Sequence, residues 1–277
     1  MPLPVPVACS LQLVDNVIAE RQNGVNAAFF TGIAAEWRAR VQAYIDACGS
    51  PALVQTWPAI DQKRGSFLNL YAAPAEGSCQ GAMLQALRKH ALNLCPACGE
   101  PGRPNTLDHY LPKGRYPHLC ITPMNLFPMC DACQAEKLEK TGDANGARFF
   151  LHPYFDVFVA QQVIAIAIQP PFDAPTFDLL PVPGLTPEQA GLVTSHVREL
   201  AITQRYGHFF RGQHRRLLRL VQSMRASGQD VVETLETFRV NYEHPTRNAW
   251  EYIFYSAVLE TPDFVEYLKE GQLPAYT

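Results

Sequence analysis

No apolar run in the chain approaches the length of roughly 18 residues that a membrane-spanning helix requires. The longest candidate, Val163–Ile168, is the size of a strand. The first residues, from Met1 to Pro6, contain neither a basic stretch nor a clean apolar stretch, so a secretory signal is not expected. The sequence therefore predicts a soluble cytoplasmic protein without a membrane partner.

Several other signals are absent as well. The formal net charge is only −3, so the overall charge does not indicate a nucleic-acid partner. The chain has no internal repeat and no Gly-x-x-x-x-Gly-Lys motif, so any dependence on nucleotide hydrolysis would have to come from another protein. A hydrophobic content of 47% over 277 residues is ample for a substantial core.

Hydrophobic periodicity predicts a mainly helical chain. Asn26–Ala47 has apolar residues at helical spacing, and Thr186 followed by Pro187 is typical of a helix start. Val163–Ile168 and Thr176–Leu180 predict a two-stranded ribbon. The fold class we predict is α+β: a mainly helical protein that carries a small ββα module held together by a metal. The predicted regions are residues 1–90 (helical), 91–150 (the module) and 151–277 (mainly helical, with the ribbon).

Four of the eight cysteines form two close pairs with 31 residues between them: Cys95, Cys98, Cys130 and Cys133. A tight turn in each pair can point both sulfur atoms at one ion, and four thiolates complete the closed tetrahedral site of structural zinc. A redox dithiol is the alternative, but it would not need a second pair, and no βαβ pattern surrounds either one.

The segment between the pairs contains a carboxylate, an imidazole and an amide, at Asp108, His109 and Asn125. A carboxylate oxygen suits a hard divalent ion such as Mg²⁺. An imidazole with an ordinary pKa near 6.5 suits the removal of a proton from water at neutral pH. Because successive side chains of a strand point to opposite faces, Asp108 and His109 can serve one site only if the strand ends or bulges there.

The run Cys95-Pro-Ala-Cys98, Asp108-His109, Asn125 and Cys130-Asp-Ala-Cys133-Gln134 closely resembles the zinc-binding variant of the HNH endonuclease motif. The resemblance covers about 45 of the 277 residues. It implies a ββα-metal fold, hydrolysis of DNA phosphodiester bonds, a structural Zn²⁺ and a catalytic Mg²⁺ or Mn²⁺. It also implies that His109 is the general base, that Asp108 is a metal ligand and that Asn125 holds the histidine and its loop.

The helical flanks and the run from Leu151 to Asp156 resemble stand-alone bacterial HNH proteins of anti-phage defence, Septu-like nucleases among them. This resemblance implies antiviral defence, and a partner that is an ATPase or a sensor protein. The motif departs from the family at Gln134, where His or Asn is usual and completes the metal site. The amide oxygen of glutamine can still bind the metal, but its side chain is longer and costs more to order.

Basic residues are predicted to contact the nucleic acid in two places. Near the motif these are Lys113, Arg115 and Lys137, and further along they are Arg211, Arg215 and Arg219, one helical stripe in a segment without acidic residues. The alternative is a solvated helix face that pairs with acids from elsewhere. For the whole protein, the alternative function is an inactive zinc module that binds nucleic acid or a partner protein.

Overall fold

The computed structural model describes residues 1–275, which fall into two compact units. The N-terminal unit comprises residues 2–97 and 103–157, and the C-terminal unit comprises residues 98–102 and 158–275. Over these residues the chain is mainly helical and has two small hairpin sheets, as predicted. The three regions predicted from the sequence stay a prediction. Within residues 1–275, none of the helices has the length and apolar character that crossing a bilayer demands.

The N-terminal unit begins with five helices: α1 (Ser10–Glu20), α2 (Ala27–Gly32), α3 (Ala34–Asp46), α4 (Arg64–Ala72) and α5 (Cys79–Arg88). The prediction of one helix over Asn26–Ala47 is wrong at Ile33, which leaves helical geometry with φ −102° and ψ 2°. Gly32 immediately precedes the break, and glycine is a poor helix former. Short 3₁₀ helices cover Pro58–Lys63, Pro117–Leu119, Pro123–Asn125 and Val157–Ala160.

Aromatic rings form the core between these helices. The Trp37 ring meets the Phe67 ring edge-on with 5.0 Å between centroids, and Phe30 meets Phe67 in the same way at 5.4 Å. The Trp37 Nε1–H donates a hydrogen bond of 2.8 Å to the backbone carbonyl of His118. The helical core therefore holds the loop in which His118 lies.

The His118 ring itself is fully buried, and neither ring nitrogen has a hydrogen-bond partner among residues 1–275. Burial, together with the nearby charge of Arg40, lowers the pKa of His118 to about 3. Below pH about 6.5 His118 becomes protonated in the unfolded chain and stays neutral in the folded chain. The free energy of unfolding therefore falls as the pH falls.

We expect acidification from pH 7 to pH 5 to destabilise the protein by about 2 kcal/mol through His118 alone. Urea unfolding at both pH values should show this loss in the wild type, and His118→Gln should show a loss smaller by that amount. Acid acts on the cysteines in both proteins, so the difference between the two losses of unfolding free energy gives the contribution of His118 alone. Identical pH dependence in both proteins would contradict the prediction.

A hairpin and a helix follow α5. Strand β1 (Thr106–His109) pairs antiparallel with β2 (Leu126–Met129), with His109 opposite Leu126. Helix α6 (Asp131–Lys137) then begins directly after Cys130, as predicted. The order is therefore strand, strand, helix. Strand β1 ends at His109, the place where the sequence required an end or a bulge.

The C-terminal unit contains a second hairpin and five helices. Strands β3 (Ile164–Gln169) and β4 (Thr176–Pro181) confirm the predicted ribbon. The helices are α7 (Pro187–Glu199), α8 (Ile202–Ser227), α9 (Val231–Asn241), α10 (Trp250–Leu259) and α11 (Pro262–Glu270). Thr186 caps α7 in a reciprocal capping box with Gln189, which explains why this helix start was predictable.

Candidate metal centre and active site

The four paired cysteines form one cluster. The sulfur atoms of Cys95, Cys98, Cys130 and Cys133 all lie within 4.8 Å of one another. Cys130 is the N-cap residue of α6, and its sulfur accepts a hydrogen bond of 3.4 Å from the Cys133 backbone N–H. The Cys130 N–H donates in turn to the Cys95 sulfur at 3.4 Å. The cluster can hold a metal ion, as predicted, and a set of four thiolates suits structural zinc.

Residues distant in sequence support the first cysteine pair. The Trp250 Nε1–H donates a hydrogen bond of 2.6 Å to the Cys98 carbonyl. Gly99 adopts φ +77°, and a Cβ atom at this position would lie 2.0 Å from the Asn248 carbonyl oxygen. Only glycine combines this backbone conformation with so close an approach. Asn248 and Trp250, the first residue of α10, therefore fix the turn that follows Cys98.

A charged group also reaches Cys98. The Arg205 Nη1 atom lies 3.6 Å from the Cys98 sulfur, and the same guanidinium pairs with Glu100. A cation at this distance stabilises a thiolate. Sequence reasoning placed Arg205 in a basic segment and missed this contact, because 107 positions separate the two residues and no local pattern links them.

Asp108 lies beside α6. Its Oδ1 atom accepts a hydrogen bond of 3.3 Å from the Gln134 Nε2–H, and its Oδ2 atom forms an ion pair of 3.1 Å with the Lys137 ammonium group. Gln134 and Lys137 are three residues apart, so both side chains lie on the helix face that meets β1. The structure thus brings together the two residues predicted to bind a catalytic ion, with an ammonium group next to them.

His109 is the last residue of β1, and it is 4% exposed. Its Nε2 atom lies 2.9 Å from the Cys120 carbonyl oxygen. Because a carbonyl oxygen only accepts, Nε2 carries the proton and Nδ1 is the basic atom. Burial lowers the pKa of His109 to about 3, so the ring is neutral at pH 7. The Tyr71 ring packs edge-on against the imidazole with 4.5 Å between centroids.

Asn125 is completely buried and holds the loop after β1. Its Oδ1 atom accepts from the Leu111 N–H at 2.8 Å. Its Nδ2 group donates to the carbonyls of Leu111 at 3.0 Å and Leu119 at 3.2 Å. These bonds fasten both sides of the loop that runs from His109 to Cys120, the residue whose carbonyl orients the imidazole. Its role in catalysis stays a prediction.

The basic residues near the motif have different surroundings. Lys113 and Arg115 are exposed, and their charged groups lie over the rings of Tyr71 and Tyr116. Lys137 is 1% exposed and donates a hydrogen bond of 2.6 Å to the His109 carbonyl, in addition to its ion pair. Its ammonium group therefore lies against Asp108 and the His109 carbonyl. A contact with phosphate would require this group to be accessible from solvent. Nucleic-acid contact by these three residues stays a prediction.

The distant arginines lie on α8. Arg211, Arg215 and Arg219 are all exposed and follow one another at four-residue intervals. Arg225, at the end of the same segment, is used differently, since its guanidinium donates to the carbonyls of Tyr267, Leu268 and Gly271. The structure shows this exposed row of three arginines, and its contact with a nucleic acid stays a prediction.

Part of this sequence is similar to that of a phage protein. A 70-residue segment is 33% identical to protein ea31 of Escherichia phage lambda. The segment is 24% of this chain and 24% of the phage protein, so the chain spans about a quarter of the relative that it matches. No protein-family model matches the chain, and no solved structure gives a significant match. The similarity indicates a shared segment and does not show an activity.

Proposed function

We propose that this protein is a metal-dependent endonuclease of the HNH, or ββα-metal, type that hydrolyses DNA phosphodiester bonds in bacterial anti-phage defence. A structural Zn²⁺ at the four cysteines and one catalytic Mg²⁺ or Mn²⁺ belong to this proposal. The observation that supports it most is the contact between Asp108 and Gln134. The hairpin and α6 bring these side chains within 3.3 Å of each other, and the cysteine cluster is built at the start of the same helix.

The oxygen atoms of Asp108 and Gln134 are the hard donors that a Mg²⁺-like ion prefers. Such an ion, when bound, would stabilise the negative charge that develops on the phosphate and on the leaving oxygen. The ion pair with Lys137 lies on the second carboxylate oxygen, so the ammonium group and a divalent ion compete for the same carboxylate.

His109 would act as the general base through Nδ1. The Cys120 carbonyl fixes the tautomer, because it engages the Nε2–H at 2.9 Å. Burial keeps the ring neutral, which is the form that accepts a proton, but a pKa of about 3 makes it a much weaker base than the ordinary imidazole expected from the sequence. A phosphate anion beside the ring would raise that pKa. Asn125 would act as a positioning residue, since its hydrogen bonds to Leu111 and Leu119 hold the loop that ends at Cys120.

Supercoiled plasmid tests the proposal directly. The purified protein should nick or linearise the plasmid with Mg²⁺ or Mn²⁺, leave 5′-phosphate and 3′-hydroxyl ends, and lose activity when the free divalent ion is chelated. Zinc content should be measured in the same samples, so that loss of the catalytic ion is not confused with loss of the structural one. Cleavage that persists without any free divalent ion would refute this mechanism.

A nuclease of a defence system can also be silent until a partner is present. We infer an ATPase or a sensor protein as that partner. Cleavage that starts when the partner is added, and that still requires His109, would support this arrangement.

The Lys137 ion pair favours a second candidate function: an inactive zinc module that binds nucleic acid or a partner protein. A buried ammonium group 3.1 Å from Asp108 already neutralises the carboxylate that an ion would need. This candidate predicts salt-sensitive retention of DNA with no cleavage under any divalent ion.

Replacing Lys137 by methionine separates the two candidates. The variant removes the competing charge at similar length, so we expect Mn²⁺ binding to tighten by about tenfold, which corresponds to about 1.4 kcal/mol. Binding is measured by the loss of the free Mn²⁺ signal in electron paramagnetic resonance. Lys113→Met, which removes the charge of an exposed lysine, is the control. Equal Mn²⁺ affinity in the wild type and both variants would show that Asp108 does not bind the ion.

A further inference from the structure

The Tyr71 side chain lies against the end of β1. Its hydroxyl group donates a hydrogen bond of 2.7 Å to the Leu107 carbonyl. Its ring packs edge-on against the His109 imidazole, with 4.5 Å between centroids. Tyr71 is therefore fixed at both its hydroxyl group and its ring edge, and it is in direct contact with the proposed general base.

Two positive charges lie over the Tyr71 ring. The guanidinium carbon of Arg88, the last residue of α5, is 5.5 Å from the ring centroid, and the Lys113 ammonium nitrogen is 5.4 Å from it. Burial is the main cause of the low pKa of His109, and the Lys113 charge adds to it, which places this ammonium group near the imidazole. One aromatic ring thus joins two cations from separate parts of the N-terminal unit to the imidazole.

Most hydrogen-bond donors of these two cations are unused within the fold. Both side chains are exposed, and neither forms an ion pair with a carboxylate among residues 1–275. Burial raises the pKa of the Tyr71 hydroxyl, and the Arg88 guanidinium opposes this rise by its charge and by a hydrogen bond. A guanidinium has five N–H donors and an ammonium group has three, and the face of a ring attracts a cation by its charge. Donors therefore remain available to an anion beside His109.

The anion that fits is a phosphate group. The planar fork of arginine binds two phosphate oxygens at once, and lysine binds phosphate as a point charge. Asp108, the acid next to His109, does not cancel these cations, because its charge is already engaged by Lys137. The backbone of a nucleic acid supplies a phosphate wherever it meets the protein, and the proposed reaction brings one to His109.

We propose that Arg88 and Lys113 together bind one backbone phosphate of the DNA substrate beside the His109 ring, and that Tyr71 positions both cations relative to the imidazole. The inference rests on the proposed function, because it takes DNA as the substrate. Lys113 was expected from the sequence to contact a nucleic acid. Arg88 was not, because it precedes the first cysteine pair and lies outside the motif.

Equilibrium binding of a labelled DNA duplex of about 20 base pairs tests the contact. Fluorescence polarisation is measured on the full chain without added divalent ion, so that the proposed cleavage does not interfere. Arg88→Met and Lys113→Met should each weaken binding by about tenfold, the loss expected for a hydrogen bond to a charged group. Lys89→Met is the matched control, because Lys89 is the exposed neighbour of Arg88 and does not lie over Tyr71. Arg88→Lys should recover part of the affinity, since it keeps the charge and loses the fork.

The salt dependence of binding shows whether the two cations share one phosphate. Each phosphate that a protein neutralises on B-DNA contributes about 0.9 to the slope of log K against log salt. The double variant Arg88→Met with Lys113→Met should therefore lower the magnitude of this slope by about 0.9. A decrease of about 1.8 would mean two separate phosphates and would contradict the shared site.

The nicking rate shows whether this phosphate lies near the reaction. In single-turnover reactions at saturating protein, Arg88→Met should lower the rate of plasmid nicking by about tenfold, because the strand beside His109 is held less well. Lys89→Met should keep the wild-type rate. Tyr71→Leu should weaken DNA binding as well, and adding Arg88→Met to it should cost less than in the wild type, since the ring that positions the guanidinium is already lost. Zinc content and thermal unfolding confirm that each variant is folded.

Two further results would overturn the inference. Equal loss of affinity in Arg88→Met and Lys89→Met would mean attraction by overall charge alone. An unchanged nicking rate in Arg88→Met at saturating protein would place the phosphate away from His109. Failure of the proposed function looks different: no divalent ion would support nicking, while DNA binding still depended on Arg88 and Lys113 and not on Lys89.

Discussion

His109→Ala is expected to lower the rate of plasmid nicking by at least about 100-fold, because positioned general bases contribute 10² to 10⁴ in rate. The atom proposed to accept the proton is Nδ1 of His109. The Cys120 carbonyl engages the Nε2–H, and Nδ1 is left as the basic atom of a neutral ring. Single-turnover nicking at saturating divalent ion measures the effect without a contribution from product release.

The control for His109→Ala is another buried histidine. His118→Ala also removes an imidazole from the N-terminal unit, and His118 is fully buried in a different environment, against Trp57. We expect this variant to lose stability and to keep the nicking rate at temperatures where it stays folded. Zinc content should be unchanged in both variants. A folded, zinc-loaded His109→Ala protein that nicks at the wild-type rate would eliminate His109 as the base.

Cys133→Ser is expected to abolish zinc binding and to unfold the hairpin together with α6. Apparent free energies of structural zinc reach about 10 to 16 kcal/mol in small zinc modules, which is comparable to the entire stability of a domain. The strands β1 and β2 contain four residues each, too few to be stable as an isolated hairpin. Metal analysis should find one zinc per wild-type chain and none in the variant, and thermal unfolding should shift to much lower temperature.

Cys120→Ser provides the comparison. Cys120 is buried and close in sequence to the cluster, and its sulfur donates to the Phe67 carbonyl at 3.0 Å instead of joining the other four. A serine hydroxyl can keep that hydrogen bond, so this variant should retain zinc and most of its stability. A Cys133→Ser protein that held zinc as tightly as Cys120→Ser would show that the cluster is not the metal site.

Local chemistry explains which features were predictable. The two cysteine pairs, the helix start at Asp131 and the cap at Thr186 each depend on residues within a few positions of one another. The ribbon of β3 and β4 was predictable for the same reason, since alternation is a property of neighbours. Ile33 shows the limit, because the apolar period continues through a position where the backbone leaves the helix.

Contacts over long distances in sequence were beyond this reasoning. Lys137 was predicted, as a basic residue near the motif, to contact a phosphate, and only the tertiary structure shows that its ammonium group lies in the interior against Asp108. Arg205 is near Cys98 and Arg225 caps the carbonyls of the last helix, although both belong to the same basic segment as the exposed Arg215. A charged residue in a sequence indicates that some other group must compensate its charge, but the sequence does not show which group does so.

The amino-acid sequence alone determined the elements of this protein: the paired thiols, the acid and imidazole next to each other, and the helices with their caps. Packing decided how those elements are used. It buried the imidazole and selected its tautomer, it set an ammonium group against the carboxylate, and it brought Arg88 and Lys113 over the Tyr71 ring. The physical reason is that local propensity acts between neighbours, whereas burial and charge pairing depend on which distant segments meet.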